Sequence, residues 1–132
     1  MKLNENLVLE RCGLQVLIEA RRAGGDQGVT FRVYGVDEKR NKVELLRFDC
    51  FKKNPHYHYA PMGKNEEHRF ARGETPDPLE WVLAQLKSQL PKMIEHAGYA
   101  AIARATDQTL VADGLAKLET DIHELQALAM KG

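Results

Sequence analysis

Residues 29–60 read VTFRVYGVDEKRNKVELLRFDCFKKNPHYHYA, and the pattern of this stretch predicts most of a β-sheet. Apolar and polar side chains alternate through much of two runs, residues 29–34 and 43–51, and histidine alternates with tyrosine in a third run, residues 56–60. A period of two residues is typical of a β-strand with one buried face. Polar turns separate the runs, and Pro55 marks the second turn because proline fixes its own backbone angle. Strands joined by such short connections favour an antiparallel meander.

The sequence before this stretch adds one more strand. Residues 14–20 alternate in the same way, and the glycine-rich segment at residues 24–28 then interrupts the pattern as a hairpin loop does. The first 60 residues therefore predict a sheet of about four strands.

The sequence after it changes to a helical period. Asp77, Pro78 and Glu80 form a helix start signal, with the aspartate as N-cap and the proline in the first turn. Apolar residues then recur every three or four positions, so we expect a helix over residues 77–97 that covers the sheet. Pro91 should kink or divide this helix, because its ring clashes with the preceding turn.

A second helix is expected from about Asp107 to Met130. Its apolar residues are spaced as in a coiled-coil heptad, and the central ones are Leu115, Leu118, Ile122 and Leu125. Two interpretations of this narrow stripe are open. The helix either packs on the core of its own chain or pairs with the same helix of a second copy, in which case these side chains form a dimer interface.

Together these elements predict an α+β protein, with an antiparallel β-meander of about four strands packed by a C-terminal pair of α-helices. We expect residues 1–100 to form the α+β domain, with the strands in residues 1–60, and residues 101–132 to form a C-terminal helical arm. A length of 132 residues suits a single domain.

The composition excludes several classes of protein. An apolar fraction of 43% is too high for a disordered chain, and no run of about 18 apolar residues could span a membrane. Residues 1–10 lack the apolar stretch of a signal peptide, and 2 cysteines do not make a disulfide framework. We therefore expect a reduced, cytoplasmic protein without membrane contact.

The formal net charge of zero combines two opposite halves. Residues 1–73 hold 14 Lys and Arg against 10 Asp and Glu, whereas residues 74–132 hold 5 against 9. This distribution excludes a uniformly basic nucleic-acid binder but leaves room for a local cationic site in the first part.

Titratable side chains are concentrated in residues 47–72, which read RFDCFKKNPHYHYAPMGKNEEHRFAR. His56 and His58 are two residues apart, so both imidazoles project from the same face of a strand. Three uses of this pair are open. It could bind a metal ion, with Asp49 or His68 completing the ligand set; it could perform acid–base catalysis; or it could be an ordinary polar part of the sheet surface.

Surplus positive charge in this segment, to which Arg72 contributes, favours phosphate over a metal ion. Cations repel a metal ion, whereas phosphate oxygens accept hydrogen bonds from Lys and Arg, and exposed aromatic rings stack on unpaired bases. The residues that we expect to contact RNA or phosphate are Arg47, Lys52, Lys53, Lys64, Arg69 and Tyr57.

Such a site could cleave RNA without a metal ion. One of His56 and His58 would remove the 2′-hydroxyl proton, and the other would protonate the leaving oxygen. Asp49 would orient the histidines, and Arg47 and Arg69 would stabilise the charge of the transition state.

The same segment resembles the TumE family, the toxin half of a bacterial toxin–antitoxin pair. The corresponding residues are Arg47-Phe48-Asp49, Lys52-Lys53, His56-Tyr57-His58, Glu66-Glu67 and Arg69-Phe70. The resemblance covers Val29 to His96, including the helix that begins at Asp77. It departs at Cys50, where the family tends to have asparagine, and after Gly98, where no counterpart is found. It implies a small α+β protein whose RNA-directed toxicity is restrained by a cognate antitoxin.

Two alternatives belong to other classes of protein. One is a non-enzymatic interaction module that forms a homodimer through the C-terminal helix. The other is a metal-binding protein that uses His56, His58 and His68. No P-loop, dinucleotide fingerprint, GxSxG or HExxH motif occurs in the sequence, so no cofactor is expected.

Overall fold

The computed structural model describes residues 6–70 and 77–131, and these residues form one sheet and four helices. Within these ranges the six strands are β1 (Leu7–Arg11), β2 (Leu14–Ala23), β3 (Asp26–Val36), β4 (Lys42–Phe51), β5 (His56–Tyr59) and β6 (Glu66–Arg69). They lie in the sheet in chain order, and each neighbouring pair is antiparallel. The predicted antiparallel meander is confirmed, and its expected strands correspond to β2–β5.

The prediction of about four strands missed the two edge strands of the sheet. The sequence of β6 is EEHR, which offers no apolar side chain for a buried face. The sequence of β1 is LVLER, which places apolar residues on both faces and so shows no alternation. Both strands form because a neighbouring strand supplies their hydrogen-bond partners, which a pattern within one segment cannot reveal.

Along the same described residues, four helices follow the strands, namely α1 (Pro78–Ser88), α2 (Leu90–His96), α3 (Ala100–Ala105) and α4 (Gln108–Met130). The predicted N-cap is confirmed, because the Asp77 side chain accepts a hydrogen bond from the backbone N–H of Glu80 at 3.2 Å. The helix expected over residues 77–97 is divided at Gln89, two residues before Pro91. The six residues of α3 were not predicted, since they are too few to show a helical period.

The helices pack on one face of the sheet, and the core lies between the two layers. Its fully buried members include Ile18, Phe31, Leu46, Phe48, Leu86, Leu90, Ile94, Leu115 and Ile122. A β-bulge between β3 and β4 leaves Leu45 without a cross-strand partner in β3. The side chains of Leu45 and Leu46 are therefore both buried, although the two residues are consecutive. Burial of each apolar side chain of this size stabilises the folded state by about 1.5–3 kcal/mol.

The long helix α4 packs on β1, β2, β3 and α1 of its own chain. Of the two interpretations of its apolar stripe, packing within the chain therefore replaces the dimer interface, whose expected residues were Leu115, Leu118, Ile122 and Leu125. Three of these side chains are fully buried in the core and Leu118 is partly buried against it, so the packing is within the chain. Gly114 permits close packing, because a Cβ at this position would lie 2.5 Å from a side-chain carbon of Leu9. Residues on both sides of the expected boundary at residue 100 thus share one core.

The opposite face of the sheet, called the polar face below, carries charged and polar side chains from β2 to β6. They are Glu19, Arg21, Thr30, Arg32, Glu44, Arg47, Asp49, His56, His58, Glu67 and Arg69. Among the helices that the structure describes, none is long and apolar enough to cross a membrane.

Candidate functional site

The pairing of β4 with β5 brings the two histidines to Asp49. His56 lies opposite Asp49 in the antiparallel register, and His58 lies opposite Arg47, so all four side chains share the polar face. Because successive side chains of a strand point to opposite faces of the sheet, Tyr57 lies on the helix side. The three residues Asp49, His56 and His58 are called the Asp49 cluster below.

Asp49 is 3% exposed, and one of its two carboxylate oxygens is fully engaged by neighbouring strands. The Thr30 hydroxyl donates a hydrogen bond to Oδ1 at 2.6 Å, and Nη1 of Arg21 donates to the same oxygen at 3.0 Å. These contacts offset the cost of burying a charge and fix the side chain. The second oxygen, Oδ2, is left to face the histidines.

Both histidines use Nδ1 for a hydrogen bond away from Asp49. His56 donates through Nδ1 to the backbone carbonyl of Asn54 at 2.8 Å, and Nδ1 of His58 lies 2.9 Å from Oδ1 of Asn65. Each ring therefore presents Nε2 to the carboxylate. The Nε2 atoms of His56 and His58 lie 3.1 Å and 3.8 Å from Oδ2 of Asp49, and all three atoms lie within 4.8 Å of one another.

Burial also affects the protonation of the cluster. Removal from water lowers the pKa of His58, and the neighbouring His56 lowers it further. The neutral form of this imidazole is therefore favoured, with its proton on Nδ1 and an electron pair on Nε2.

The rim of the cluster is formed by β6. Oε1 of Glu67 lies 3.9 Å from Nε2 of His58, and Oε2 accepts a hydrogen bond from Nε of Arg69 at 3.3 Å. This hydrogen bond holds the pKa of Glu67 below its ordinary value. The Arg69 side chain is 68% exposed and lies across from His56 in the register.

The arginines near the cluster are largely paired with carboxylates. Arg47 donates to both oxygens of the buried Glu44, at 2.6 Å and 3.2 Å, and among the described residues no hydrogen bond or ion pair joins it to the histidines. Arg32 bridges Glu44 and Glu19, which raises the pKa of its guanidinium despite partial burial. The positive charge that the sequence suggested is thus mostly neutralised within the polar face.

The lysines that were predicted to contact phosphate lie around the turn after β4 and in the turn before β6. The Lys53 ammonium donates to the carbonyl of Gly25 at 3.1 Å, and the backbone of this turn is held by the Asp26 carboxylate. Lys52 and Lys64 are exposed. Arg72 lies outside the described residues.

Two predicted site residues lie on the wrong side of the sheet for their assigned roles. His68 and Tyr57 are cross-strand partners on the helix side, where their rings stack at 5.1 Å. The sheet separates His68 from His56 and His58, so a metal site made of these three histidines is excluded. The ring of Tyr57 packs against Phe48 and Trp81, so its faces are not free to stack on a nucleic-acid base. Burial of the same side chain raises the pKa of its hydroxyl.

His68 belongs instead to a second cluster, called the Glu66 cluster below, which consists of Glu66, His68 and His96. Oε2 of Glu66 lies 2.5 Å from Nε2 of His68 and 2.9 Å from Nε2 of His96. These contacts join β6 to α2 and hold the pKa of Glu66 below its ordinary value.

Three residues of the site were missed by sequence reasoning, namely Arg21, Thr30 and Asn65, whereas Glu67 was named only as part of the acidic pair in the TumE resemblance. Arg21 and Thr30 occupy polar positions in strands whose apolar and polar residues alternate, so the sequence indicated which face of the sheet they share. Their contact with Asp49 depends on the register of β2, β3 and β4, which the alternation alone does not specify.

Comparison with known proteins identifies a family but no characterised relative. Residues 8–122 match the family described as "Domain of unknown function (DUF7700)", and this range includes the whole Asp49 cluster. A search of curated proteins and a search of solved structures each gave no match. Since the match covers most of the sequence, the chain belongs to the DUF7700 family.

Proposed function

We propose that the protein binds a divalent transition-metal ion, such as zinc, through Oδ2 of Asp49 and Nε2 of His56 and His58. The observation that carries the proposal is the convergence of these three atoms within 4.8 Å of one another, and each is an atom type that can offer an electron pair to a metal ion. Three such atoms repel one another unless a proton or a metal ion lies between them. Two imidazole nitrogens and a carboxylate oxygen form a ligand set that first-row metals prefer.

The distances from Oδ2 of Asp49 to the two histidine nitrogens are close to those in a zinc site. Ligand atoms about 2.0–2.1 Å from a tetrahedral zinc ion are about 3.3–3.4 Å apart. The separations from Oδ2 of Asp49 to the two histidine nitrogens are 3.1 Å and 3.8 Å. A shift of a few tenths of an ångström in His58 would bring its distance from Oδ2 of Asp49 to that value, and the two histidine nitrogens lie within 4.8 Å of each other.

The surroundings of the ligands also match those of metal sites. Histidine ligands usually donate their other ring N–H to a carbonyl or carboxylate, which fixes the ring and its tautomer. Asn54 and Asn65 supply such carbonyl oxygens, and Thr30 and Arg21 hold the carboxylate. The predicted repulsion by nearby cations is weaker than expected, because Arg47 and Arg32 are paired with Glu44.

Three protein ligands leave coordination positions for water or a substrate, as in catalytic zinc sites. When bound, the metal would polarise a substrate oxygen or activate water there. Glu67, on the rim, is close enough to His58 to accept a proton from a group at these positions.

An isothermal titration of tag-free, metal-free protein with zinc tests the proposal. We expect one ion per chain, and we expect the double variant His56→Ala, His58→Ala to lose this binding. The matched control is His68→Ala, His96→Ala, which removes the two histidines of the Glu66 cluster and should leave zinc binding unchanged. Absence of binding in the wild type, or equal loss in both double variants, would contradict the proposal.

A second candidate is metal-independent RNA cleavage of the kind that the TumE resemblance implies, with an antitoxin as partner. It is supported by two imidazole rings with centroids 5.0 Å apart beside one carboxylate, and by the exposed side chains of Lys52 and Arg69. RNA cleavage that persists in excess EDTA and is lost in His56→Ala, His58→Ala would favour this function. Cleavage that EDTA abolishes would favour a metal-dependent reaction instead.

A further inference from the structure

The four arginines of the polar face differ in what their terminal nitrogens contact. Nη1 of Arg21 contacts Asp49 and Thr30, and Arg32 and Arg47 direct terminal nitrogens at Glu44. In contrast, Arg69 is held through Nε alone, and within residues 6–70 and 77–131 its two terminal nitrogens have no hydrogen-bond partner. An unoccupied guanidinium fork is the group that binds oxyanions in a bidentate manner.

Arg69 is also placed beside the open positions of the proposed metal site. It is the cross-strand partner of His56 on the polar face, and partners of this kind have Cβ atoms about 4.5–5.5 Å apart. Its hydrogen bond to Glu67 directs the side chain along the rim of the Asp49 cluster. A ligand on the metal would therefore lie within reach of the fork.

The charges around the cluster favour an anion as this ligand. Arg21 offsets the charge of Asp49, and Arg69 and Glu67 offset each other. A divalent metal ion would thus leave the site with an excess of positive charge.

We infer that the metal-loaded site binds a phosphate group, with one oxygen on the metal ion and two oxygens on the fork of Arg69. This inference rests on the proposed metal binding and names its substrate class. A ligand that joins a metal ion to a bidentate fork needs at least three unesterified oxygens, which inorganic phosphate and a phosphate monoester have and a carboxylate or a phosphodiester lacks. The phosphate is therefore a terminal one, either at the end of a nucleic-acid strand or in a small phosphate monoester.

The test uses protein loaded with cobalt, whose visible absorption reports ligands on the metal, titrated with inorganic phosphate. Arg69→Gln should weaken phosphate binding about tenfold or more, and Arg69→Lys should not restore it fully because lysine lacks the fork. The matched control is Arg104→Gln, an exposed arginine of α3, which should bind phosphate as the wild type does. Cobalt affinity should be the same in all four proteins.

Two further comparisons identify the source of the phosphate and show which of the two proposals, metal binding or phosphate binding, has failed. Tighter binding of a 5′-phosphorylated dinucleotide than of inorganic phosphate supports the end of a nucleic-acid strand, and the reverse order supports a small phosphate ester. Equal phosphate affinity in wild type and Arg69→Gln, or acetate binding as tight as phosphate, overturns this inference while metal binding stands. Absence of cobalt uptake overturns both.

Discussion

The molecule contains two clusters in which one carboxylate faces two histidines, and burial is the main difference between them. In the Asp49 cluster the carboxylate side chain is 4% exposed, and the histidine side chains are 14% and 11% exposed. In the Glu66 cluster the carboxylate is 46% exposed, and the histidines are 42% and 53% exposed. The same chemical groups are therefore present on both sides of the β5–β6 hairpin.

The two clusters also differ in whether other residues hold the carboxylate in place, and this support distinguishes a candidate site from a surface ion pair. Asp49 has one oxygen fixed by Thr30 and Arg21, which leaves the other oxygen aimed at the histidines. Glu66 uses a single oxygen for both of its histidines, and its side chain is 46% exposed. Exposed ion pairs contribute little to stability, whereas a buried carboxylate requires partners.

The largest expected difference between the clusters is in zinc affinity after neutralising each carboxylate. Asp49→Asn should lower the affinity more than about 100-fold, since even groups that only support a ligand change it about 10–100-fold. Glu66→Gln is the matched change and should leave the affinity unaltered. Competition with a chelating dye measures both, and an equal loss in the two variants would show that the clusters are not distinct.

A second prediction concerns the support of Asp49. Thr30→Val keeps the shape of the side chain but removes the hydrogen bond to Oδ1, so zinc affinity should fall about 10–100-fold. The free energy of unfolding should fall by about 1–3 kcal/mol, because a buried acceptor loses a donor. Urea denaturation measures the second effect, with the exposed Thr109→Val as control. A Thr30→Val protein with unchanged stability and affinity would contradict the role of this contact.

The Glu66 cluster should be nearly dispensable. His96→Ala removes the contact between α2 and β6, yet the urea midpoint should change too little to resolve because both partners are exposed. A clear loss of stability in this variant would mean that the cluster fastens the hairpin to the helix layer and would weaken the contrast with the Asp49 cluster.

The smallest effect concerns a third exposed contact, between His123 of α4 and Glu80 of α1. The hydrogen bond that the His123 ring donates to the Glu80 carboxylate raises the pKa of His123 above its ordinary value of about 6.5. The folded state therefore binds this proton more tightly, and the stabilisation is present below pH 6.5 and is lost as the pH rises through the raised pKa. His123→Gln should flatten this part of the stability curve, and an identical pH profile in both proteins would contradict the assignment.

Much of the fold and part of the site could be predicted because they depend on local periodicity. Alternation placed His56 and His58 on one face, and the short β4–β5 connection brought them to the strand of Asp49. The role of His68 was assigned wrongly because β6, with no apolar residue, gave no strand signal, and its face was therefore unknown.

The remaining contacts depend on how strands align with one another. Thr30 and Arg21 reach Asp49 only in the register that the hairpin between β2 and β3 and the bulge at Leu45 produce. The pairing of Arg47 with Glu44 was also not foreseen, although both residues lie in one strand. The bulge turns both side chains to the polar face, whereas strict alternation places them on opposite faces.

The most direct test of the account follows the side chains of all 5 histidines by NMR during a zinc titration. Long-range proton–nitrogen spectra separate Nδ1 from Nε2 in each ring. We predict that the Nε2 resonances of His56 and His58 shift together up to one equivalent of zinc, while those of His68, His96 and His123 do not change. Shifts at His68 and His96 instead, or no shift at His56 and His58, would contradict the assignment of the Asp49 cluster as a metal site.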